Sequence, residues 1–167
     1  MKPTLLAALD RGRYLVVTGG CNDCHTPGYP EAAGKIPSEQ WLTGSIVGFQ
    51  GPWGTSYPVN LRLYVQGISE KDWLARVRQP MRPPMPWFNL RDANDADLVA
   101  IYHYIRALGP TGEPAPAPAA PGVKVSTPYI EFVPKNLPKQ AQPGVKVSTP
   151  YIEFVPKNLP KQAQAKR

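Results

Sequence analysis

The sequence predicts an all-α domain with long connecting loops, followed by an extended proline-rich tail. Three observations predict this. Apolar residues recur at helical spacing near both ends of the first 110 residues, the stretch between them is rich in Gly and Pro, and composition changes abruptly after Pro110. The expected division is residues 1–110 as the domain, 111–120 as a Pro/Ala linker, 121–164 as a tail of two identical repeats, and 165–167 as a basic end.

The first helix is expected from Thr4 to Val17. Thr4 can cap it, Leu5, Leu6, Leu9, Val16 and Val17 supply apolar positions, and Gly19-Gly20 ends it. Gly12 within it lowers helix propensity and is either a tolerated defect or the mark of a close helix crossing. From Thr26 to Gly67 the sequence reads as a long loop carrying Tyr29, Trp41, Phe49, Trp53, Tyr57 and Tyr64. A loop of that length inside a small domain is expected to wrap something.

Ser69-Glu70-Lys71-Asp72 has capping-box spacing and opens a short helix that Pro80 stops. The run MRPPMPWF, from Met81 to Phe88, is a proline-restrained loop. Asn94 then caps the clearest helix of the chain, with Leu98, Ile101, Tyr102, Ile105 and Leu108 on one face and Gly109-Pro110 as its stop.

Charge divides where composition does. Residues 1–110 carry net +2 and residues 111–167 net +5, together the +7 of the chain. A basic surface is therefore a property of the tail, and protein partners rather than nucleic acid are expected there. No apolar run is long enough to cross a bilayer. The opening apolar stretch is cut short by Asp10, Arg11 and Arg13, too early for a secretory leader.

The two cysteines of the chain stand three apart in Cys21-Asn22-Asp23-Cys24-His25. CxxCH is the pattern in which two thiols add to the vinyl groups of a haem and the following imidazole reaches its iron. A redox dithiol would want a surrounding βαβ pattern, and a zinc site a second ligand pair; the sequence supplies neither. One covalent haem c is therefore expected, with Cys21, Cys24 and His25 holding it.

Candidates for the second axial position are Met81, Met85 and His103. His103 lies off the apolar face of its helix, at roughly 100° per residue, and reads as a surface residue. Met85, between Pro83-Pro84 and Pro86, has the more restrained backbone, and a Met/His pair suits electron transfer. Met81 remains the alternative, since either methionine can simply fill a packing gap.

The segments Arg11 to Gly28, Gly54 to Leu61 and Met85 to Ile105 resemble the class I monohaem c-type cytochromes, most of all the cytochrome domains associated with bacterial dehydrogenases. The resemblance covers about residues 4–109 and none of the tail. It implies a small cytochrome c fold in which the first and last helices cross at Gly12 and Tyr102 has a packing role. It also implies Tyr57 and Asn60 near the haem edge and Met85 as axial ligand. Because haem attachment to CxxCH normally follows export, the chain is expected to be periplasmic or otherwise exported, a mature form whose leader was removed or lies outside this numbering. A redox donor and acceptor are the implied partners. The competing expectation is a haem peroxidase or gas sensor with an open sixth iron position.

The tail repeats PGVKVSTPYIEFVPKNLPKQAQ perfectly, at 121–142 and at 143–164. Its Val, Tyr, Ile and Phe favour extended structure, while Pro128 and Pro150 keep it from a central strand. Edge pairing or extended docking of each YIEFV segment on a protein surface, its own or a neighbour's, with the lysines favouring an acidic partner, is the expectation set against a disordered tether.

Overall fold

Thr4 has extended backbone and its hydroxyl accepts the Ala7 N–H at 3.3 Å, which starts helix α1 (Leu5–Thr18) where the sequence places it. The computed structural model describes residues 4–135 together with the backbone of 147–148 and 151–152. After Gly19 and a left-handed Gly20, a single turn, α2 (Cys21–His25), carries the CNDCH run. A long segment with one 3-10 turn (Ser38–Gln40) leads to strands β1 (Gly48–Gly51) and β2 (Gly54–Ser56), an antiparallel hairpin.

Four further helices follow: α3 (Leu61–Gln66), α4 (Glu70–Val77), α5 (Trp87–Asp92) and α6 (Asp95–Ala107). Asn60, Ser69 and Asn94 cap α3, α4 and α6 through their side-chain oxygens. Two of these caps, Ser69 and Asn94, are the ones read from the sequence.

Helices α1 and α6 pack more extensively than any other pair. Gly12 is where they touch: a Cβ there would collide with the Ala100 carbonyl and with Tyr104, so the close-crossing reading holds. Arg11 closes the crossing from outside with two bonds to Asp97, at 2.8 and 3.1 Å. The core between the layers contains Val16, Leu42, Val65, Val77, Leu98 and Ile105, all at most 2 % exposed. Trp73 and Tyr102 join it by donating to the carbonyls of Leu98 and Ile68, which satisfies their polar ends inside the apolar layer.

The all-α expectation needs correction. Strand β3 (Tyr129–Glu131) pairs in parallel with β1, giving a three-stranded sheet in the order β2-β1-β3. The hairpin strands are too short and too glycine-rich to show alternation, and β3 comes from the far side of a proline-rich linker. The loop expected over Thr26 to Gly67 likewise contains α3 and the hairpin, and the proline loop ends at Trp87, where α5 begins.

The linker lies on the domain. Asn60 donates to the Thr111 and Glu113 carbonyls, and Ala119 exchanges backbone bonds with Thr55. In the second repeat, β4 (Val147–Ser148) pairs antiparallel with β5 (Tyr151–Ile152); the remainder of that repeat lies outside the described residues. Among the described residues no helix is long and apolar enough to cross a membrane.

Candidate haem site

Cys21, Cys24 and His25 share the one turn of α2, so five consecutive residues carry both thiols and the imidazole. His25 is buried, and its Nδ1 stands 2.8 Å from the Val59 carbonyl oxygen. A carbonyl can only accept, so Nδ1 carries the proton and Nε2 keeps its lone pair free for a metal. Burial lowers the imidazole's pKa below its ordinary value, with the Val59 bond opposing, and the ring is neutral as a ligand must be.

Loop backbone fixes that arrangement. Gly44 N–H donates to the His25 carbonyl at 2.8 Å, and Leu61 N–H donates to Leu42 at 3.0 Å, which brings the Val59 carbonyl to the Nδ1 edge of the ring. Thr26, directly after the histidine, accepts from Leu42 N–H and donates to Asn22 Oδ1, tying the turn to the same loop. The Asn22 amide nitrogen is buried without a partner among the described residues.

Burial pushes the Cys21 thiol up to about 11; desolvation, then the Asp23 carboxylate, raises Cys24 as well. Both are protonated at neutral pH, unlike the acidic thiol of a redox dithiol. Among the described residues no cluster of three His, Cys, Asp or Glu side chains stands ready for a metal. One imidazole beside two thiols is a poor protein-only metal site, but it fits an iron that arrives with four ring nitrogens of its own.

Met85 is half-buried in the loop before α5. Its N–H donates to Arg82 and its carbonyl accepts from Trp87 at 2.8 Å. That loop is braced from two sides: Ser56 Oγ donates to the Pro83 carbonyl, and Arg82 donates to Ala119 at 3.0 Å. Met81, by contrast, packs against the apolar core. His103 bonds Glu70 at 2.8 Å between α6 and α4, the surface position the sequence gives it.

Tyr57 and Asn60 have contacts the resemblance does not supply. The Tyr57 hydroxyl lies 2.6 Å from Thr127 Oγ1, and Asn60 both caps α3 and grips the linker, so each ties the tail to the segment beside His25. Phe49 and Trp53, expected among the wrapping aromatics, instead meet Phe132 of the tail. Sequence reasoning missed Val59, which acts through its backbone, and the buried Arg62, which donates to the carbonyls of Gly109, Glu39 and Leu108.

The family model for cytochrome c matches residues 9–109. A subunit of the nicotinate dehydrogenase of Pseudomonas putida is 28 % identical over 123 residues, which covers 66 % of this chain and 9 % of that protein. The chain thus spans about a tenth of the relative's length. No solved structure matches it. With a match running from α1 to the end of α6 and enclosing the CNDCH turn, the chain belongs to the cytochrome c family, whose cofactor is a covalent haem c and whose work is electron transport.

Proposed function

We propose that this chain is a single-electron carrier, its haem c held through Cys21 and Cys24 with His25 and Met85 as the axial pair. When bound, the haem supplies one iron that cycles between the ferric and ferrous states. The observation that carries the proposal is the Nδ1 contact of His25 with Val59, which orients the ring and leaves Nε2 as the ligating atom.

The remaining roles belong to the loops. Val59 raises the basicity of the imidazole by accepting a hydrogen bond from its Nδ1–H, and burial of the ring keeps competing water and protons away. The braced loop presents the Met85 thioether, a ligand that favours the reduced state and leaves no open position for peroxide or a gas. Two haem propionates would bring the net +2 of residues 1–110 close to neutral, so the tail supplies the charge that meets an acidic partner or a neighbouring subunit.

The similarity to a dehydrogenase subunit supports a dehydrogenase as electron donor, and the family supports a periplasmic setting. A redox-monitored absorption spectrum of the purified protein tests the whole assignment. The expected result is one low-spin haem with a methionine-to-iron charge-transfer band at the red end of the visible. A high-spin ferric spectrum with rapid cyanide or CO binding overturns the axial pair, and a haem released by acid acetone overturns the thioethers.

A further inference from the structure

Residues 119–133 follow one track across the domain. Ala119 bonds Thr55 in both directions, at 3.1 and 2.9 Å, and Gly54 makes room for it: a Cβ there would collide with the Ala119 carbonyl. Further on, the Thr127 hydroxyl meets Tyr57, and the Pro128 carbonyl accepts the Gly48 N–H at 2.9 Å. Strand β3 then pairs with β1 in the register Gly48↔Tyr129, Phe49↔Ile130, Gln50↔Glu131. Phe132 N–H donates to the Gln50 carbonyl at 2.8 Å, and its ring packs 5.9 Å from Phe49 and 5.8 Å from Trp53.

Every group the tail offers to the β1 edge comes from Thr-Pro-Tyr-Ile-Glu-Phe, residues 127–132, and this hexapeptide recurs unchanged at residues 149–154. Tyr and Ile are extended in both copies, paired with β1 in the first and with Val147–Ser148 in the second. The seat is shallow, since Ile130 keeps 52 % and Phe132 41 % of their surface exposed. A contact of that kind opens and closes readily.

We propose that the second repeat is an alternative occupant of the β1 edge, seated in the register of the first with Tyr151 opposite Gly48 and Phe154 against Phe49 and Trp53. The inference deepens the reading of the tail as a docking element, and its test reads the edge itself rather than any partner. The two ligands are chemically identical, so only the connecting chain separates them. With Ala119 anchored, the loop to the strand is residues 120–127 for the first repeat and 120–149 for the second, nearly four times longer. Closure entropy then favours the first repeat on the order of tenfold. One repeat covers the edge while its twin is presented to a partner, and a partner that draws off either copy leaves the edge covered by the other.

Hydrogen exchange at the Gly48 amide in the full haem-loaded chain tests this, using proline to remove the Phe132 donor and its ring together. Phe154→Pro is expected to leave Gly48 protection unchanged, Phe132→Pro to lower it on the order of tenfold, and the double variant to abolish it. Unchanged exchange at Leu98, together with an unchanged haem spectrum, establishes that the domain is intact in each variant. If Phe132→Pro alone is as unprotected as the double variant, the second repeat is no occupant and the proposal fails. Protection that survives in the double variant overturns docking by either repeat. A concentration-dependent dimer of Phe132→Pro in light scattering overturns seating within one molecule in favour of a second copy.

Discussion

The hydroxyl of Ser56 donates to the carbonyl oxygen of Pro83 at 2.5 Å, which ties β2 to the loop that carries Met85. A partly buried hydrogen bond contributes about 1 kcal/mol, or roughly fivefold in the closing of that loop. Ser56→Ala is expected to leave the fold and thioethers intact and to multiply the fraction of molecules lacking methionine ligation about fivefold. The charge-transfer band followed against temperature measures this, and an unchanged loss curve would mean that the loop is held by other contacts.

The two methionines separate cleanly by substitution. Met85→Ala should abolish the charge-transfer band, lower the reduction potential and let CO bind the ferrous protein. Met81→Leu, a near volume-conserving change at a core-packed position, should leave the spectrum alone and cost less than about 1.5 kcal/mol. The reverse pattern would assign the ligand to Met81.

Gly12→Ala sets two effects against each other. Helix propensity favours alanine by up to about 1 kcal/mol, whereas the added Cβ must displace the α6 backbone at Ala100. Overpacking of this kind costs typically about 1–3 kcal/mol and falls on backbone, so it wins. Thermal unfolding should show a melting temperature lowered by several degrees; a rise would mean that the helices separate at no cost.

The Arg11 guanidinium holds the Asp97 carboxyl below its ordinary range, chiefly by hydrogen bonding. A carboxylate with a lowered pKa in the fold adds stability at pH values above its unfolded pKa of about 3.9, and that stability is lost as pH falls through the lower folded value. Arg11 is half-exposed, so solvent screening keeps the contribution of the pair small. Asp97→Asn should therefore lower stability slightly at pH 7, with the difference starting to shrink as pH falls below about 4 and gone only below the lowered folded value, in denaturant titrations at several pH values. A difference that stays undiminished down to about pH 2 would point to a packing defect.

What the sequence made legible is local. Thr4, Ser69 and Asn94 announced their helices because a cap is a relation between residues three apart, and Cys21, Cys24 and His25 announced the haem turn because the cofactor imposes the spacing. The Val59 carbonyl was invisible, since any residue supplies that oxygen and only the fold brings it to His25 from 34 positions away. Arg62 reads as a surface cation until the C-terminal carbonyls of α6 close around it. The hairpin and its third strand escaped for the same reason, because neither half of the β1 and β3 pair carries the information that the other exists.

That pairing also bears on how the molecule is made. Gly48 and Tyr129 stand about eighty residues apart, so β1 is complete well before its partner leaves the ribosome. In the interval the nascent domain carries a bare strand edge, the kind of surface on which chains aggregate. A tail that brings its own capping strand removes this hazard once synthesis is finished, and a chain cut short before Tyr129 keeps it for life.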